Sequence, residues 1–143
     1  MRIVLDTNVL MSAVFFGGAP LEILRAWQRG TVELLASAAI LEEYSRVLDE
    51  LGRRYPLEAG RSVIALVLDR AVIVEGGGVG DVRCDDPDDV KFLACAIAGK
   101  ADAVVSGDKH LLRLRAVAGI PVLTPRALLD RLTSHRRRTP QAE

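Results

Sequence analysis

Arg2-Ile3-Val4-Leu5 is a short, unbroken apolar run that ends in Asp6-Thr7-Asn8, and an apolar helical pattern begins at Val9. A strand with one wet face alternates apolar and polar residues, whereas a continuous run is the mark of a strand covered on both faces. The run therefore predicts a central strand of a sheet layered between helices, with Asp6 at its carboxyl end. In open α/β sheets that edge is where ligands bind, in the crevice outside the strand ends. A carboxylate delivered there is a candidate site residue, and the other acids of the chain have to be tested for whether they can meet it.

The 143 residues, half of them hydrophobic, suffice for one compact domain with its own core. Nineteen basic and nineteen acidic side chains leave a formal charge of zero, so any grip on a polyanion has to come from local patches rather than from a global field. Cys84 and Cys95 form no CxxC pair and have no histidine cluster beside them, which argues against a zinc site or a disulfide framework. The three apolar residues after Arg2 fall far short of a signal peptide or a membrane span. The expected setting is cytoplasmic, with no membrane partner.

Along the chain, helical patterns are expected over Val9 to Phe16 and over Pro20 to Arg29, each stopped by glycine, with a second strand at Val32 to Leu35. Ser37 is placed to cap a helix reaching Leu51, Pro56 opens another through Leu68, and Ala71 to Val74 reads as the third strand. The glycine-rich stretch 76–80 fits neither phosphate-binding fingerprint and reads as a surface loop. Asp86 then suits an N-cap, Pro87 the first helical position and Asp88-Asp89 the first turn of a helix that ends at Ala98 before Gly99. Ala103-Val104-Val105 is the fourth strand, Pro121-Val122-Leu123 the fifth, and Pro125 to Leu132 a closing helix. Residues 1–132 make the domain, and 133–143, with Arg136-Arg137-Arg138, a mobile basic tail. Strands alternating with helices predict right-handed crossovers and a three-layer α/β/α sandwich with a central, mostly parallel five-stranded sheet.

Three further carboxylates are placed to reach Asp6. Asp108 follows the fourth strand by Ser106-Gly107, so it too stands at a carboxyl edge, and the Ser106 hydroxyl can hold a neighbouring carboxylate. Asp89 precedes Phe92, Leu93 and Ala96 by three, four and seven residues, which sets it on the stripe facing the sheet, while Asp88 points aside. The alternative for Asp89, and the favoured reading for Asp85, Asp86 and Asp88, is an acid that only satisfies a helix N-terminus. On the Ser37 helix the stripe is Ile40, Leu41, Tyr44, Val47, Leu48 and Leu51; Glu43 lies at its margin and Glu42 on the solvated face. Acids gathered in a partly buried cleft repel one another and call for a cation. Oxygen donors without histidine or cysteine select a hard ion, Mg²⁺ or Mn²⁺, and such ions suit phosphodiester hydrolysis.

Taken together, Asp6-Thr7-Asn8, Glu43-Tyr44 before Val47-Leu48, Asp88-Asp89 before Phe92-Leu93 and Ala96, and Ser106-Gly107-Asp108 with Leu111-Leu112 resemble the PIN-domain nucleases over about residues 1–132, and among them the VapC-like toxins of toxin–antitoxin pairs. The resemblance implies a metal-dependent endoribonuclease that cleaves single-stranded RNA. It implies Asp6, Glu43, Asp89 and Asp108 as the catalytic and metal-holding acids, with Asp88 or Asp85 as the other choices for the third, and Asn8 and Ser106 in support. Many members carry Thr where this chain has Ser106, and the hydroxyl is kept. The family also implies a homodimer and a small antitoxin that blocks the cleft. Lys109, His110 and Arg113, with Arg115 beyond, cluster after Asp108 as candidate RNA contacts.

Two rival readings remain at this level. A phosphate-monoester hydrolase of the haloacid-dehalogenase type also puts an acid after its first strand, but wants a second two residues on, where this chain has Asn8. A non-catalytic binding module whose acids hold a structural metal is the other.

Overall fold

The computed structural model describes residues 1–54, 57–75 and 87–138. Its strands are β1 (Arg2–Leu5), β2 (Glu33–Ala36), β3 (Val72–Ile73), β4 (Ala103–Val105), β5 (Ala116–Val117) and β6 (Ile120–Leu123). Its helices are α1 (Thr7–Phe15), α2 (Gly18–Gln28), α3 (Ala38–Leu51), α4 (Leu57–Arg70), α5 (Val90–Ala98), α6 (Lys109–Leu112) and α7 (Pro125–Arg138), with a 3₁₀ turn at Pro87–Asp89. The strands form one mixed sheet in the order β3-β2-β1-β4-β6-β5, parallel except for the β5–β6 pair.

Successive residues of a strand point to opposite faces, so the near-complete burial of Ile3, Val4 and Leu5 in a row means that both faces of β1 are covered. The apolar residues Phe92, Leu93 and Ala96 of α5 pack over β1, β2 and β4, and α7 lies over β4 and β6 with α2 packed on it. On α3, Ile40, Tyr44 and Leu48 are buried and Glu42 is exposed, as the helical stripe requires. Tyr44 is fully buried and its hydroxyl donates to the Leu5 carbonyl, tying α3 to the carboxyl end of β1. Burial holds that phenol far above its usual range, with the Asp6 carboxylate adding to the effect.

The chain leaves β1 toward β2 and β3 on one side and returns to β4 on the other. The point where strand order reverses thus falls between β1 and β4, which opens a crevice beyond their carboxyl ends. The register pairs Leu5 with Val105, and the Asp6 amide donates to the Val105 carbonyl at 3.0 Å. Asp6 and Ser106 are therefore neighbours by strand pairing alone.

The sheet differs from the expected five strands by the extra β5, which pairs antiparallel with β6 through Ala118-Gly119. Both turn residues have positive φ, 50° and 79°, the geometry of a type I′ hairpin; alanine there is not the usual asparagine, so the turn is poorly signalled. The helix at Pro87 begins instead as a 3₁₀ turn, which makes Asp89 the boundary residue of α5. α1 starts at Thr7 rather than Val9 because Asp6 caps it. The closing helix passes Leu132 to reach Arg138, while residues 139–143 of the expected mobile tail lie outside the described residues, as do the 76–80 loop, Asp85, Asp86 and Cys84. Cys95 is buried, which pushes its thiol up to about 11.

Candidate active site

Beyond the carboxyl ends of β1 and β4 lies a cleft of about 240 Å³ lined by Asp6, Thr7, Asn8, Glu43, Arg46, Val47, Asp89, Phe92 and Asp108. The four acids singled out by the sequence pattern thus share one wall system, delivered by α1, α3, α5 and α6.

Asp6 is 4% exposed. Its Oδ1 accepts from the Val9 amide at 2.8 Å, capping α1, and its Oδ2 accepts from the Ser106 hydroxyl. Ser106 is fully buried, and its oxygen accepts in turn from the Asp108 amide at 2.9 Å. Burial raises the pKa of Asp6, the Ser106 and Val9 hydrogen bonds oppose the rise, and the nearby Asp108 charge adds to it. The site thus holds a carboxylate at a cost, and lowering that cost calls for positive charge.

Asp108 is partly buried and caps α6, accepting from the His110 amide at 2.8 Å. Asp89 is 9% exposed and occupies the N-cap position of α5, yet its side chain makes no capping bond because its backbone is already helical, with φ −83° and ψ −15°. Asp89 lines the cleft instead. Asp88, one residue earlier, is exposed, as the facing argument requires.

Glu43 has a side chain only 12% exposed, held from two sides: the Thr7 hydroxyl donates to Oε2, and Lys91 Nζ donates to Oε1 at 2.6 Å. Arg46, one helical turn on, stands 3.8 Å away. Strand ends and helical stripes do not single out Thr7, Arg46 or Lys91. Thr7 enters the sequence pattern only as part of Asp6-Thr7-Asn8, and Lys91 lies between Val90 and Phe92; the one signal either carries is an acid within two residues along the chain. Asn8 is exposed at the cleft wall, and Lys109, His110 and Arg113 are exposed on and just after α6, outside the lining.

The donor chemistry of this set is entirely oxygen, which suits a hard divalent cation. Among the described residues, however, no three acid, histidine or cysteine side chains stand together closely enough to form a ready-made cage. The residues fit such an ion by the chemistry of their donors.

The profile of the PIN domain matches residues 2–110, which spans β1 through the start of α6 and includes all four acids. The chain belongs to the PIN-domain family. PIN-domain nucleases are hydrolases that act on nucleic acids. Among solved structures this PIN-domain chain is similar to VapBC2 from Rickettsia felis bound to a DNA fragment from their promoter, at 15% identity and a TM-score of 0.60, covering 85% of this chain and 97% of that one. It is also similar to PAE2754 from Pyrobaculum aerophilum, at 17% identity and a TM-score of 0.63, covering 93% of this chain and 89% of that one. Identities this low speak for the fold alone. A search of curated proteins returned no match.

Proposed function

We propose that this PIN-domain chain is a Mg²⁺- or Mn²⁺-dependent endoribonuclease that cleaves single-stranded RNA, and that it is the toxin of a toxin–antitoxin pair, acting in the cytoplasm as a homodimer. The observation that carries the nuclease reading is the burial of Asp6 in a cleft shared with Glu43, Asp89 and Asp108 at the reversal point of the sheet. A fold built only for stability gains nothing from desolvating a carboxylate beside other carboxylates.

Asp6, Asp89 and Asp108 would hold the ion, with Glu43 completing the acidic set. When bound, a divalent ion lowers the pKa of water and stabilises charge on a phosphate. Ser106 fixes the rotamer of Asp6 through its hydroxyl and, through the Asp108 amide, ties the two strand ends into one unit. The exposed Lys109, His110 and Arg113 beside Asp108 suit contacts to RNA phosphates, which are sequence-independent and weaken with salt. The PIN membership sets aside the haloacid-dehalogenase alternative, and Asn8, standing where that chemistry wants an acid, agrees. The toxin role draws its support from the likeness in fold to VapBC2.

The test is end-labelled single-stranded RNA incubated with the purified chain in Mn²⁺ or in chelator. Internal fragments are expected only with Mn²⁺, and Asp6→Asn, which retains the α1 cap, is expected to lower cleavage at least about a hundredfold. RNA left intact by the unmodified protein in Mn²⁺ would sink the nuclease reading. For the toxin role, growth arrest on expression, relieved by the product of a small neighbouring gene, is the expected outcome.

A further inference from the structure

Lys91 is placed where a helix disfavours it. It is the second residue of α5, in the first turn, where the helix dipole is positive and a cation is unfavourable. Its side chain is only 21% exposed, although lysine on an ordinary surface keeps its ammonium in water. Both costs are incurred at one contact: Nζ stands 2.6 Å from Glu43 Oε1, on the edge of the acidic cleft. The other Glu43 oxygen is held by Thr7, so α1 and α5 grip the carboxylate of α3 between them. Asp6 and Asp108, by contrast, are held by a hydroxyl and by helix amides.

We propose that Lys91 is a positioning residue that serves as the internal counter-cation of the cleft: it fixes Glu43 and competes with a divalent cation for that carboxylate. The inference rests on the metal-dependent reading above and adds a control to it. An ammonium on the flexible lysine stem can be displaced by a doubly charged ion, so Glu43 stays paired when the cleft is empty and the ion binds with an affinity lowered by the ion pair. Arg46 supplies a weaker, solvent-screened charge, being 58% exposed and 3.8 Å away.

Calorimetric titration of the full chain with Mn²⁺, without RNA, tests this. Lys91→Met should tighten Mn²⁺ binding about tenfold, and Lys91→Gln, which keeps a polar head, should do the same. Lys91→Arg, which keeps the charge, should stay near the unmodified protein. In a Glu43→Gln background the Lys91→Met change should no longer alter the affinity, because the competition acts through Glu43. Unchanged or weaker Mn²⁺ binding by both neutral variants would overturn the proposal alone, as would an equal tightening in the Glu43→Gln background, which marks a diffuse field rather than a pair. No Mn²⁺ binding by the unmodified protein would overturn both this proposal and the metal-dependent reading.

Discussion

The two ends of the sheet carry the same kinds of side chain and use them oppositely. At the amino end, the Arg2 amide donates to Asp102 at 2.7 Å, and its guanidinium reaches Glu33 and the Gly99 carbonyl, both at 3.2 Å. These groups are exposed, and the Arg2–Glu33 pair, with side chains 48% and 55% exposed, is a screened surface clip. At the carboxyl end, Asp6 and Asp89 are buried and Glu43 nearly so, and the hydrogen bonds on Asp6 hold a charge that its burial opposes. An acid that is cheap to keep says little about function. One kept against desolvation, at the point where a sheet reverses its order, says much more.

If the amino end is purely structural, its most sensitive position should be one of packing rather than charge. Gly99 ends α5, and a Cβ there would meet Leu35 Cδ1 and Val74 Cγ2, each at 2.8 Å. Gly99→Ala is expected to destabilise the fold by about 1–3 kcal/mol in denaturant titration. Unchanged Mn²⁺ affinity in the same variant would keep the two ends separate; a large change would break the comparison.

The carboxyl end should behave in the reverse sense. The native pKa of Asp6 is raised above the usual 3.8, so the folded chain binds more protons than the unfolded one. Stability therefore falls as pH rises from about 3.8 through the raised native value and levels off above it. Asp6→Asn removes this loss while preserving the cap on α1. In chelator it is expected to exceed the unmodified protein in stability by roughly 0.5–2 kcal/mol above that window and to converge with it below. A strongly destabilised Asp6→Asn protein at neutral pH would make Asp6 a structural residue and erase the contrast. The smallest effect belongs to the surface clip: Arg2→Ala should cost no more than about 1 kcal/mol, and less in high salt.

Much of the cleft is legible in the amino-acid sequence, because strand ends and helical stripes are properties of short windows. Asp6 and Asp108 follow apolar runs, Asp89 falls on the α5 stripe and Glu43 on the margin of the α3 stripe, and all four line one cleft. Relations between windows are not legible in this way. Thr7 and Lys91 meet Glu43 across 36 and 48 residues, and no local period records that encounter. β5 is hidden for a different reason: a two-residue strand has no period, and its hairpin turns on an alanine held at positive φ. The start of α5 lies later than its sequence suggests because proline and two aspartates suit the tighter 3₁₀ turn as well as the first turn of an α-helix.

The Ser106 hydroxyl, viewed as a conductor of polarity, joins more than two strand ends. The Asp108 amide donates to its oxygen, and its proton points on to Asp6, so the donors run in one direction across the mouth of the sheet. Bonds in such a series polarise one another. A change of charge on Asp6 therefore alters the polarisation of the Asp108 amide, which precedes α6 and its Lys109 and His110. The charge on Asp6 and the polarity of the amide that opens α6 thus belong to one hydrogen-bonded series.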